Sequence, residues 1–127
     1  MDEIHYATFR EFYLHYLTEH QHPANRFLHF IGTSSLILLI IHYFLIGHAV
    51  VLLLAPLASI GFAWIGHFFI EKNSPIVGKS FFYNVVADFV MAWDILNGQI
   101  YRKIRIAKRW SDHKKQMKIR QTHSFVA

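Results

Sequence analysis

The sequence predicts an all-α fold: a small integral membrane helical bundle built on a transmembrane hairpin, with amphipathic or interfacial helices on its flanks. Three observations carry this. Of 127 residues, 54% are hydrophobic and 17% aromatic against only 17% charged, oily for a soluble domain of this size. From Phe27 to Ile70 run 44 residues without one Asp, Glu, Lys or Arg. As helix that run spans roughly 66 Å, close to two crossings of a hydrocarbon core about 30 Å thick. A chain this short cannot wrap a protein coat around two such helices, so a soluble bundle with a buried apolar pair is the weaker reading.

Taken in order, residues 6–20, YATFREFYLHYLTEH, set Phe9, Phe12, Tyr13, Tyr16 and Leu17 at helical spacing among Arg10, Glu11, Thr18 and Glu19. That pattern predicts an amphipathic helix at the membrane interface. Pro23 is expected to break it. The hairpin follows over 26–47 and 49–71, turning near LIGHA at 45–49. Residues 79–97 are apolar enough to associate with the membrane yet carry Asn84, Asp88 and Asp94. Asn84 and Asp88 share a helix face, which should meet protein rather than lipid. Residues 99–120 form a basic helix, with nine Lys or Arg between Arg102 and Arg120 against the single Asp112. Its charge suits anionic headgroups, which account for the same residues as nucleic acid would. With no repeat or low-complexity linker, residues 1–127 read as one membrane domain. The opening MDEIHYATFREF is acidic, so no cleaved leader is expected.

Charge also sets an orientation. Arg26, Lys72 and Lys79 flank the open end of the hairpin, the turn has no Lys or Arg, and the tail is basic. The open end and the C-terminus are therefore expected in the cytoplasm, from an inner membrane in a bacterium or the endoplasmic reticulum in a eukaryote. Residues 79–97 would then dip in and return, or pack obliquely on the hairpin.

The absence of cysteine excludes disulfides, thiolate metal sites and cysteine nucleophiles. Ten histidines against eight carboxylates point instead to imidazole and oxygen ligands. A turn near residue 48 puts His29, 19 residues before it, and His67, 19 after it, at matching depth on adjacent helices. Glu71 lies one helical turn beyond His67, and the break at Pro23 brings His20 back over the pair. His20, His29, His67 and Glu71 thus form a candidate cluster suited to Fe(II), Mn or Zn. Each has a plainer reading: histidine tolerates interfaces, and Glu71 can simply end a crossing. His42 and His48, near the turn, read as interfacial; His5, His113 and His123 read as solvated, with His15 and His22 second-rank candidates. Tyr13, Trp64, Phe68, Trp93 and Trp110 read as belts and packing.

Three blocks, FYLHYLTEHQHPANRFLHFIGT (12–33), WIGHFFIEKNSP (64–75) and DFVMAWDILNG (88–98), together resemble the membrane 2-hydroxy fatty acid dioxygenase family, named for the metabolism of phytosphingosine to odd-numbered fatty acids. His20, Asn25, His29, Gly66-His67 and Glu71 stand where that family has recurrent polar residues. Arg26, Asn73, Pro75, Asp88 and Met91 match its bacterial branch, while IVGKSFFYN after Ser74-Pro75 departs from it. The resemblance implies an Fe(II) enzyme with O₂ as co-substrate and no 2-oxoglutarate, haem or flavin, which shortens a long-chain 2-hydroxy fatty acid by one carbon. It implies iron on His20, His29 and His67, with Glu71 as ligand or base, and Arg26 on the substrate carboxylate. Asn25 and Asn73 would meet substrate or, with Asp88, orient the imidazoles, and the acyl chain would lie between the hairpin and residues 79–97.

Other classes make distinct expectations. Di-iron hydroxylases and desaturases use H-x-x-x-H and H-x-x-H-H boxes, and neither spacing occurs. A zinc-dependent membrane hydrolase would use the three histidines with Glu71 as base. A non-enzymatic lipid-binding protein would leave the histidines interfacial.

Overall fold

The computed structural model describes residues 5–75 and 80–126, and all regular structure within them is helical. Helix α1 (Phe9–Thr18) starts at Thr8, whose Oγ1 accepts the Glu11 N–H at 3.3 Å while Glu11 Oε2 accepts the Ala7 N–H at 3.2 Å. This reciprocal capping settles the start within the expected 6–20 stretch. Helix α2 (Pro23–Ile46) opens on the proline that was expected to break the chain. At the first helical position its missing N–H costs nothing, and His22 caps the turn, Nδ1 accepting from the Ala24 N–H at 3.1 Å. Gly47 ends α2 at φ 87°, a left-handed conformation suited to glycine, with its N–H donating to the Tyr43 carbonyl at 2.7 Å.

Helix α3 (Val51–Ile65) returns along α2 and widens into a π-helical turn, Gly66–Glu71. The pair approaches closely, since a Cβ on Gly32 would stand 3.0 Å from the Ser59 carbonyl oxygen. Pro23–Ile46 and Val51–Glu71 are both long and apolar enough to cross a membrane, and only 17% and 22% of their most apolar windows are buried inside the protein. A soluble core helix would be mostly covered; here Leu38, Phe44, Leu45, Leu53 and Leu57 face outward.

Helix α4 (Phe81–Leu96) packs on α2 and α1, and α5 (Ile100–Val126) lies along α1. The expected start of α4 at residue 79 lies outside the described residues. The core forms where α1, α4 and α5 meet, with Phe12, Tyr16, Leu17, Ala87, Met91 and Ala107 all at 0% exposure. Burial of Phe12, Leu17 and Met91 contributes about 1.5–3 kcal/mol each. The aromatic stripe of α1, expected at the membrane interface, therefore faces protein. The reason is polar: the Tyr13 hydroxyl donates to Asp94 Oδ2 at 2.5 Å and the Tyr16 hydroxyl donates to Asp88 Oδ1, acceptors on α4 that lipid could not supply. Lys103 Nζ completes the first pair, 2.7 Å from Asp94 Oδ1. From Asp112 to Val126 every residue of α5 is exposed, a basic arm longer than expected.

Candidate metal centre

His20, His29 and His67 arrive from three elements: the turn after α1, the second turn of α2, and the π-helical turn. They are 0%, 3% and 2% exposed. Each spends its Nδ1–H on an oxygen. His20 donates to the Tyr16 carbonyl at 2.6 Å, His29 to Asp88 Oδ1 at 2.9 Å and His67 to Asn73 Oδ1 at 2.7 Å. The Asn73 amide is itself fixed, because Nδ2 donates to the Glu19 carbonyl and to Glu19 Oε2, both at 2.9 Å. These acceptors select one tautomer for all three rings and leave three Nε2 lone pairs free.

The free nitrogens converge. Candidate ligand atoms of the three residues all lie within 4.8 Å of one another. Ring centroids are 4.4, 4.6 and 4.9 Å apart with planes at 81°, 77° and 87°, so the imidazoles stand nearly perpendicular to each other. His20 Nε2 and His29 Nε2 are 3.2 Å apart. Two acceptor lone pairs at that range repel, and a cation between them reverses the sign; nitrogens each about 2.1 Å from one ion take a similar spacing. Burial, and then repulsion from His29 and His67, hold the pKa of His20 well below its ordinary value. His20 stays neutral and able to ligate.

Local backbone explains how His67 gets there. In the wider turn its carbonyl accepts the N–H of Lys72 and, at 3.0 Å, that of Asn73. Lys72 then adopts φ 57°, costing about 1–2 kcal/mol for a residue with a Cβ, and returns the chain so that Asn73 meets His67. A Cβ on Gly66 would fall 1.9 Å from Asn25 Oδ1, so any side chain here would have to displace Asn25. Asn25 is fully buried, and neither Oδ1 nor Nδ2 has a hydrogen-bond partner among the described residues. It sits one turn before His29 on the same face of α2.

The other expected site residues go elsewhere. Glu71 stands outside the group: its Oε1 accepts the His22 N–H at 2.5 Å. The expectation of Glu71 beneath His67 assumed α-helical spacing, which the π-helical turn replaces. The guanidinium of Arg26, expected on a substrate carboxylate, is 5% exposed and donates from Nη1 to the carbonyls of His20 at 2.9 Å and Gln21 at 2.6 Å. It braces the segment that delivers His20. Tyr16, which spacing places only in an apolar stripe, stacks its ring on His20 with centroids 3.9 Å apart, and its hydroxyl reaches the carboxylate that holds His29. The available signal was the four-residue spacing from Tyr16 to His20.

Beside the imidazoles lies a cavity of about 280 Å³ between α2, α3 and α4. His29, His67, Asn84 and Asp88 are among its polar groups, and Leu36, Ile60 and Phe89 among its apolar ones. It occupies the slot expected between the hairpin and the fourth helix.

No match was found among the curated proteins or the solved structures. Residues 6–100 do match a family described as 2-hydroxy-palmitic acid dioxygenase Mpo1-like. That span holds the three imidazoles, the oxygens that fix them and the helices that line the cavity, and on this match the chain belongs to the Mpo1-like family.

Proposed function

We propose that the protein is an Fe(II)-dependent membrane dioxygenase that converts a long-chain 2-hydroxy fatty acid and O₂ into the one-carbon-shorter acid, CO₂ and water. One observation carries the reading: three imidazoles whose Nδ1 atoms are all spent on oxygens present their Nε2 atoms to a common point beside an apolar cavity. The balance R–CH(OH)–COOH + O₂ → R–COOH + CO₂ + H₂O closes in atoms and electrons without a reductase. His20, His29 and His67 would hold the metal. Three neutral nitrogens with no thiolate suit iron and leave positions open for co-substrates, and iron when bound supplies the Lewis-acid and redox chemistry that O₂ requires.

The chain's own residues do the rest. The cavity takes the acyl chain out of water and sets the carboxylate and hydroxyl beside His29 and His67. Asn84, one turn before Asp88 on α4, lines the same cavity and can donate its amide to the substrate head. Asn25, buried without a partner among the described residues, is a second amide within a turn of His29. Asp88 and Asn73 hold two ring planes, and Arg26 and Glu71 fix the turn that carries His20. The open end of the hairpin and the basic α5 face the cytoplasm, with α5 against anionic headgroups.

The test is oxygen uptake by Fe(II)-loaded protein given a long-chain 2-hydroxy fatty acid, with His67→Ala alongside. Uptake should match formation of the shortened acid and disappear, with the iron, in the variant. An iron-loaded wild type that consumes no oxygen rejects the reaction, and a folded His67→Ala that keeps full iron rejects the ligand.

A further inference from the structure

Tyr16 makes three distinct contacts with the imidazole group. Its carbonyl accepts the His20 Nδ1–H at 2.6 Å. Its ring lies over the His20 ring at 3.9 Å between centroids and 22° between planes. Its hydroxyl donates to Asp88 Oδ1, the same oxygen that accepts the His29 Nδ1–H at 2.9 Å. We propose that Tyr16 is a positioning residue for the metal centre, a single residue that sets two of the three imidazole planes, His20 through its carbonyl and ring and His29 through its hydroxyl and Asp88.

The contacts differ in what they constrain. The stacked ring and the carbonyl together fix His20: rotation of the imidazole about its own axis would lose the hydrogen bond and lift the ring off the tyrosine. His29 depends on where Asp88 points. The Asp88 side chain is 17% exposed and lines the cavity, so it has room to move. The Tyr16 hydroxyl ties one carboxylate oxygen back into the core, at the position where His29 needs its acceptor. Loss of a partner that orients a ligating histidine typically costs about 10–100-fold in metal affinity. Tyr16 has this role only if the three imidazoles hold a metal, as proposed above.

The fold contains its own control. Tyr13, three residues earlier on α1, donates to Asp94 on α4 in a pair built like Tyr16 and Asp88. That carboxylate goes on to Lys103 rather than to an imidazole. Y13F and Y16F therefore each remove one buried hydroxyl from an aspartate on the same helix, and only Y16F touches the metal centre.

The experiment uses the full chain in isolated membranes. It measures the rise in melting temperature on adding Co(II), so that a destabilised variant still reports, followed by chelator competition and the Co(II) absorption spectrum of purified protein. The wild type and Y13F should bind Co(II) alike, Y13F melting lower without metal. Y16F should bind roughly 10–100-fold more weakly with a shifted Co(II) spectrum. Y16F keeps the ring and carbonyl at His20, so Y16F matching the wild type in affinity and spectrum overturns the hydroxyl route to His29. Y16L matching Y16F overturns the stacking role at His20, and equal weakening by Y13F overturns the assignment of Tyr16 as a whole. No Co(II) or Fe(II) binding by the wild type overturns this assignment and the metal site together.

Discussion

Replacing Asn73 by Ala tests whether the candidate metal centre depends on the residues behind its three imidazoles. The substitution removes the acceptor that His67 Nδ1–H reaches at 2.7 Å and both 2.9 Å bonds from the amide to Glu19. His67 is 2% exposed, so water does not replace the lost acceptor. An unsatisfied buried donor costs about 1–3 kcal/mol, and the Glu19 bonds add about 0.5–1.5 kcal/mol each. Loss of a histidine's orienting partner lowers metal affinity about 10–100-fold, which is about 1.4–2.8 kcal/mol. Asn73→Asp keeps an oxygen for His67 while losing both donors to Glu19, so it should retain more metal affinity than Asn73→Ala despite weaker folding. The assay is Fe(II) or Co(II) competition against a chelator in detergent, read beside the apo melting temperature and KM. A folded Asn73→Ala with wild-type metal affinity refutes the reasoning. If KM alone rises, Asn73 meets substrate rather than His67.

Gly66→Ala should destabilise by about 1–3 kcal/mol through overpacking on Asn25, whereas Gly61→Ala, where a Cβ meets nothing within 4 Å, should melt no lower than wild type; equal melting of the two would remove the steric requirement at Gly66. Arg26→Ala should weaken metal binding and stability together, since it frees the carbonyls of His20 and Gln21; a raised KM with metal affinity intact would return Arg26 to the substrate carboxylate. Glu71→Gln keeps an acceptor for the His22 N–H and should keep full iron stoichiometry; iron loss would make Glu71 a ligand. The lowered pKa of His20 means that the unfolded chain binds more protons than the folded one once pH falls below about 6.5. Apo stability should be greatest above that pH and fall below it, and an apo melting temperature unchanged between pH 7.5 and 5.5 would contradict the buried neutral imidazole.

The hairpin was legible because 44 uncharged residues leave few alternatives, and the meeting of His29 with His67 follows from equal distances to the turn. The break at Pro23 was legible too: α1 ends at Thr18 and the proline itself opens α2. What misled was local. A π-helical turn leaves no periodic signature in six residues, so Glu71 was expected on the face of His67. Arg26 looked free to meet a carboxylate because nothing in the sequence says that two carbonyls after α1 lack donors. Of the stretch IVGKSFFYN that departs from the family pattern, residues 76–79 lie outside the described residues.

The apolar stripe of α1 shows why polar partners decide what periodicity cannot. Phe9, Phe12, Tyr13, Tyr16 and Leu17 would look the same facing lipid or protein, and spacing cannot choose between them. The tyrosine hydroxyls can. Two phenols on one face need acceptors at any depth in a membrane, and Asp88 and Asp94, six residues apart on α4, are the acceptors they reach. Read together, the two pairs draw α1 under α4 before any imidazole is considered, and the turn after α1 then delivers His20 to His29 and His67. The imidazoles sit at the threshold of the oily hairpin because that is where the tyrosine-aspartate pairs of α1 and α4 meet the two long apolar helices.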